Sequence, residues 1–285
     1  MNNNKYNVVF RNRNEDKADW IEKNNEDKAK AYSDMEEMTN AIKNSPEMFK
    51  RYLDLQSKFD RYSAGNCLIV LKNCPNATQF KEKDEWKKEG VLVNQNAKGF
   101  TYLKAHTKDD ITYFNAKTAY DISETDAIVE EKIYNYNWNK LLSAFLENCP
   151  AKVESIDEID KGILAEYDEK SNILYISKSV DNEVDFFNQV AQQLGIIEMK
   201  AEMPSDYKDF KSYCISYMIC KKYGIDTSSY NFDTLPPEIV NQGSTQSIRE
   251  ELSKIRNSYE KINSRIVDYL QKSNREKENN INEER

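Results

Sequence analysis

The spacing of apolar positions divides the chain into a helical front, a β-rich stretch, a mixed second half and a long helical end. From about Asp16 to Met48, Trp20, Tyr32, Met35, Met38 and Ile42 recur at loose helical spacing in a background rich in Lys, Glu, Asp and Ala, which predicts one or two helices. Ser45-Pro46 suits the opening of another helix, which runs to Lys58 with Phe49, Tyr52, Leu53, Leu55 and Phe59 on its buried side. It stops near Arg61 to Asn66. Cys67 to Lys72 is a short apolar run whose length fits a strand or a buried helical turn equally, and the Asn73 to Asn76 segment with Pro75 breaks it. Val91, Val93, Phe100 to Leu103 and Ile111 to Phe114 have strand composition and predict a hairpin or small sheet.

After Ser123-Glu124-Thr125 the pattern changes. Tyr134 to Leu146 reads as a helix, Ile163 to Tyr167 and Ile173 to Ile176 as paired strands, and Val184 to Leu194 as a buried helix. Phe210 to Tyr223 is a further helix, stopped by Gly224. Strands followed by helices predict an α+β second unit. From Thr245 to Gln271 a stripe of Ile248, Leu252, Ile255, Tyr259, Ile262, Ile266 and Leu270 repeats close to every 3.5 residues. Such a stripe fits a coiled-coil homodimer through 245–271 or a helix packed on its own domain, and spacing does not choose between them. The Asn-rich, charged tail from Lys272 to Arg285 is expected to be disordered.

The 285 residues, 39% of them apolar, can supply the cores of two domains. A net charge of −8 argues against a protein that coats nucleic acid over its whole surface, so any such site must be local. One stretch qualifies. Residues 42–108 carry 13 Lys and Arg against 7 Asp and Glu, whereas the rest carries 28 against 42. No run approaches the 18 or so apolar residues of a membrane span, and Met1 to Lys5 leads into no apolar signal core, so a cytoplasmic location with no membrane contact is expected. Five cysteines without a C-x-x-C pair read as reduced, mostly buried thiols. A single histidine, His106, cannot build a zinc site that needs two or three imidazoles, and its polar surroundings place it in an exposed turn.

From Tyr52 onward the chain resembles the ArdC antirestriction family of mobile DNA. The matching residues are Phe59, Tyr62-Ser63, Asn66, Leu68-Ile69, Asn73, Pro75 to Thr78, Trp86, Gly90, Val93, Lys98-Gly99, Tyr120 to Ser123 and Thr125. Tyr217, Cys220, Gly224 to Ser228, Leu252, Ile255 and Arg256 continue the resemblance. It implies a helical extension over 1–41, an α+β domain that binds single-stranded DNA over 42–125, a zincin-like α+β domain over 126–240, and a long C-terminal helix with tail over 241–285. In the family's second domain an H-E-x-x-H helix and a later carboxylate hold zinc. Here the window reads Asn188-Gln189-Val190-Ala191-Gln192, and the third position falls near Lys211 to Tyr213. Carboxamides keep hydrogen bonding but are poor zinc ligands, and Gln189 cannot act as a base, so no metal, no cofactor and no proteolysis are expected at Asn188, Gln189, Gln192 and Tyr213.

The resemblance therefore implies a non-enzymatic antirestriction protein that contacts single-stranded DNA. Arg61, Tyr62, Ser63, Asn66, Lys72, Lys87, Lys88 and Lys98 are the candidate contacts, since cations that track phosphates beside rings that stack on bases make a single-strand groove. Ser63 and Asn66 follow a helix end and suit a capping role equally well. Trp86 is expected to be structural. The turn Val93 to Gly99 lacks basic residues that the family carries, which lowers the expected phosphate affinity. The alternative partner is a host defence protein, engaged by an acidic second domain that mimics the charge of DNA.

Overall fold

The computed structural model describes residues 13–128, 137–200, 208–241 and 243–283. Helix α1 (Arg13–Asn44) is followed by α2 (Pro46–Lys58), where the Ser45 side chain accepts from the Met48 N–H at 3.2 Å and Pro46 occupies the first turn. The ambiguous apolar run is helix α3 (Ala64–Asn73), and its residues Cys67 to Leu71 are all buried. Strand β1 (Phe80–Glu82), helix α4 (Lys83–Lys88), β2 (Phe100–Lys108) and β3 (Ile111–Asp121) come next, the three strands forming an antiparallel sheet in the order β1-β3-β2.

The hairpin is longer than its composition suggested. Strands β2 and β3 pair without interruption from Phe100↔Ala119 to Lys108↔Ile111, and the turn is Asp109-Asp110, both at positive φ, 51° and 60°. His106 thus lies on a strand opposite Tyr113, not in a turn, although it is exposed as expected.

In the second half come α5 (Trp138–Leu146), β4 (Lys152–Ile156), β5 (Ala165–Asp168), β6 (Ile173–Ser177), α6 (Glu183–Met199), α7 (Lys208–Lys222), the short α8 (Pro237–Val240) and α9 (Thr245–Glu283). The helix expected from Tyr134 is described from Trp138 on, and 134–136 lie outside the described residues. The expected strand pair is β5 and β6, antiparallel, and β4 adds a parallel neighbour to β6 that the pattern did not disclose. Gly224, at φ 71°, ends α7, with the Ile225 N–H donating back to the Cys220 carbonyl at 2.9 Å. Among the described residues no helix is long and apolar enough to cross a membrane.

For the C-terminal helix one open choice is decided and one expectation is corrected. Ile248, Leu252, Ile255, Tyr259, Ile262 and Ile266 are buried against the chain's own elements, because α9 packs on α7, α6, α5 and α1. The stripe is consumed within one molecule, which is the second of the two readings that its spacing allowed. The segment from Lys272, expected to be disordered, continues the helix to Glu283.

A single apolar cluster runs through both halves, from Phe49, Tyr52 and Leu68 to Phe145, Leu194, Tyr217 and Ile262. Polar ties cross the same boundary. Tyr217 of α7 donates to Asp54 of α2 at 2.6 Å, Lys222 pairs with Asp60 at 3.2 Å, and Arg256 and Asn263 of α9 donate to the carbonyl and carboxylate of Asp60 at 2.6 Å each.

Candidate functional site

Between the end of α2, strand β1, helix α4 and the end of α7 lies an open groove of about 1300 Å³. Its wall holds the cations Lys58, Arg61, Lys81, Lys88, Lys221 and Lys222 against the carboxylates Asp60, Glu85 and Glu89. Several of these are spoken for: Lys81 pairs with Glu89, Lys221 with Asp54 at 3.5 Å, and Lys222 with Asp60. Lys58, Arg61 and Lys88 are exposed and form no ion pair among the described residues. The half-buried ring of Tyr62 leans on Phe80 at 4.3 Å between centroids and on Phe59 at 6.0 Å. Burial, helped by nearby Glu85, pushes the Tyr62 phenol up to about 12, so it stays neutral and its ring is an apolar surface at the groove wall.

Strand register extends this wall. Tyr102 meets Tyr62 edge-on at 6.2 Å, and alternate residues of a strand share a face. Beyond Tyr102, which faces Lys117 across the ladder, the same face therefore carries Lys104, His106 and Lys108 on β2, and Asn115, Tyr113 and Ile111 opposite them on β3. Tyr113 is 50% exposed and Ile111 55%. Lys104 is bound to Glu82, which also accepts from the Tyr102 hydroxyl at 2.8 Å. Burial pushes the Glu82 carboxyl up, but these two donors outweigh it and hold it below the usual carboxylate value. The opposite face of the hairpin is closed near its base, where Leu103 packs with Ala31, Met35 and Ile69.

A second, smaller cavity of about 130 Å³ lies beside α6, lined by Asp185, Asn188, Gln189, Gln192, Tyr213, Ser229 and Tyr230. Phe186, Phe187, Val190, Ala191 and Leu194 bury the inner face of α6, which leaves Asn188 and Gln192, one turn apart, on the side facing the cavity. Gln189 is a brace: its Oε1 accepts from the Leu164 N–H at 2.8 Å and its amide donates to the Gly162 carbonyl at 3.1 Å. Gly195 lets α7 come close, since a β-carbon there would meet Ser212 Cα at 3.1 Å.

No protein-family model matches the chain, and no curated protein matches it. Two crystal structures of the antirestriction protein ArdC from plasmid R388 do. The metal-free structure aligns over 82% of this chain and 98% of that chain with a TM-score of 0.51 and 12% identity. The chain has the ArdC fold. A Mn(II)-bound structure of the same plasmid protein aligns over 72% of this chain and 85% of that chain with a TM-score of 0.48 and 11% identity.

Within the ArdC fold, the four residues read as a vanished zinc site do meet at one cavity. They do not suit a divalent ion. Three are neutral carboxamides, the fourth is a tyrosine whose hydroxyl accepts from the Asn231 N–H at 2.7 Å, and the one carboxylate at the rim, Asp185, already accepts from Asn182 at 2.8 Å. Among the described residues no three of His, Cys, Asp and Glu gather where they could hold a metal. Lys211, near the expected third position, is buried and paired with Glu251 of α9.

The eight candidate DNA contacts separate. Arg61, Tyr62 and Lys88 line the groove. Lys87 and Lys98 are exposed outside it, and the Lys98 and Gly99 N–H groups donate to Glu124 at 2.8 and 3.1 Å. Lys72 pairs with Glu37 of α1 and does not line the groove. Ser63 caps α3, accepting from the Asn66 N–H at 3.2 Å. Asn66 is corrected to a structural role. It is buried, its Nδ2 donates to the Leu103 carbonyl at 2.8 Å and its Oδ1 accepts from the Leu103 N–H at 2.9 Å, so the amide is held against β2 and turned away from the surface. Trp86 is structural as expected, its indole N–H donating to the Tyr120 carbonyl at 2.9 Å. Sequence reasoning missed the face of Lys104, His106, Lys108, Tyr113 and Lys117. The period-two spacing of Lys104, His106 and Lys108 was the available signal.

Proposed function

We propose that the chain is a non-enzymatic antirestriction protein that binds single-stranded DNA in the cytoplasm of a cell receiving foreign DNA. The observation that carries this reading is the groove: the unpaired cations Lys58, Arg61 and Lys88 stand beside the neutral ring of Tyr62, and the wall continues onto a hairpin face of lysines and an exposed tyrosine. Cations spaced along a channel track phosphates, and rings recessed in it stack only on bases that are not already paired. The volume exceeds the 1,000 Å³ or so that bounds most small-molecule sites, which favours a polymer as occupant. The fold shared with ArdC adds the antirestriction context, and the neutral donor set beside α6 supports contact rather than hydrolysis as the mode of action.

Fluorescence anisotropy with labelled oligothymidine and a duplex of equal length, across a salt series, tests the reading. The single strand should bind more tightly, and Arg61→Ala and Lys88→Ala should each lower the salt slope by about 0.7, the share of one phosphate contact on a single strand. Equal competition by duplex, or slopes that do not move, would reject it. In cells the wild type should raise the survival of DNA entering a restricting host. Full relief from the doubly substituted protein would reassign the activity to contact with a host defence protein.

A further inference from the structure

The cavity beside α6 has a composition that selects its occupant. Among the described residues no cation lines it, so it offers nothing to an anion. Asp185 supplies the charge of that lining, at the rim. Asn188 Oδ1 accepts no hydrogen bond and is turned out of reach of water, so only a rotation of its carboxamide would present it to an occupant. Both tyrosine hydroxyls are engaged elsewhere, Tyr213 by the Asn231 N–H and Tyr230 by Ser216 and Cys220. Their rings, 4.8 Å apart between centroids, are what remains for the cavity wall.

From this we propose that the cavity binds an organic cation, a guanidinium or primary ammonium group carried on an alkyl stem. Such a group has donors and no acceptors, lies within reach of the Asp185 carboxylate, and lays its stem and charge against the rings of Tyr213 and Tyr230. A divalent ion needs several anionic or imidazole ligands, and the lining has one carboxylate. The volume of about 130 Å³ suits the end of one side chain and not a whole peptide residue with its neighbours. Arginine and lysine side chains of a protein carry this chemistry, and so do free alkylguanidines and amines. The inference stands apart from DNA binding, because no residue of the groove takes part.

Side-chain amide resonances of the isotope-labelled full chain, followed by NMR during titration, give the test. Nα-acetyl-arginine amide should move the Asn188 and Gln192 signals saturably. Its neutral isostere, Nα-acetyl-citrulline amide, should bind at least about tenfold more weakly, as should the arginine compound to the Asp185→Asn variant. Asp185 is exposed on the first turn of α6, so that variant keeps the fold. A capped tripeptide centred on arginine separates the sources: tighter binding than the amide assigns the cation to a polypeptide, and weaker binding than ethylguanidine assigns it to a small molecule. No saturable shift with the arginine compound, an equal response to citrulline, or indifference to Asp185→Asn would each overturn the proposal.

Discussion

Replacing Asn66 by alanine removes two hydrogen bonds from a buried place on β2 and none from a solvent-exposed one. The Leu103 N–H and C=O, served at 2.9 and 2.8 Å by the two ends of the Asn66 side chain, would both lose their partner. Leu103 is buried among Ala31, Ile69 and Met35, where water has poor access to replace the amide. A buried polar group left unsatisfied costs roughly 1–3 kcal/mol, so the pair predicts a loss of about 2–4 kcal/mol after partial relaxation. For a chain of this size that corresponds to a fall in Tm of roughly 5–10 °C. Thermal unfolding followed by circular dichroism measures it, and oligothymidine titration below the transition measures DNA affinity in the same samples. The expected outcome is a large loss of stability with unchanged affinity of the folded protein. An Asn66→Ala protein as stable as the wild type but defective in DNA binding would refute the assignment of Asn66 as a strut between α3 and the hairpin.

Glu251 ties Lys211 and Lys254, and although burial pushes its carboxyl up, the two lysines prevail and hold it below its usual value of 4.5. Its contribution is therefore full above the unfolded value and is lost as pH falls through the folded one. Glu251→Gln should cost roughly 2–3 kcal/mol at neutral pH by denaturant titration, with the gap from wild type closing below about pH 4.5. Gly99 sits at φ 60° with the Ala119 carbonyl oxygen 2.7 Å from where a β-carbon would stand, so Gly99→Ala should lower stability by about 1–3 kcal/mol, and an unchanged unfolding midpoint would contradict that geometry. Burial raises the thiols of Cys67, Cys149, Cys214 and Cys220, and of Cys74 to about 11. At neutral pH the native protein should resist alkylation by iodoacetamide, counted by mass spectrometry, and take up five labels only when denatured.

Helix α2 was legible because its start has a local chemical signature, Ser45-Pro46, and its buried side has a helical period. Helix α3 was not, since a run buried on every side has no period to read. The hairpin was under-read for the opposite reason: past Leu103 both faces of β2 are exposed, so apolar alternation stops while pairing continues. The stripe of α9 carried its burial but not its partner, because a 3.5-residue repeat looks alike whether it packs on a second copy or on the same chain. At the groove, Arg61, Tyr62 and Lys88 are near in sequence and could be found together. Lys221 and Lys222 come from α7, whose end Gly224 announces, but no local pattern places that end beside α2 and β1. The cavity beside α6 was readable through the family resemblance, which located Asn188, Gln189, Gln192 and Tyr213, while Asp185, Ser229 and Tyr230 needed the folded chain.

The carboxamides of α6 also reach sideways to β5, which forms one border of its sheet. Gln189 takes the Leu164 N–H just before that strand and Gln193 takes the Tyr167 N–H within it at 3.0 Å. Free donors along such a border invite an extended segment from another molecule to join by main-chain pairing. With these two already satisfied from the helix, that border has fewer donors to offer a foreign strand, which disfavours its recruitment and sheet-to-sheet aggregation.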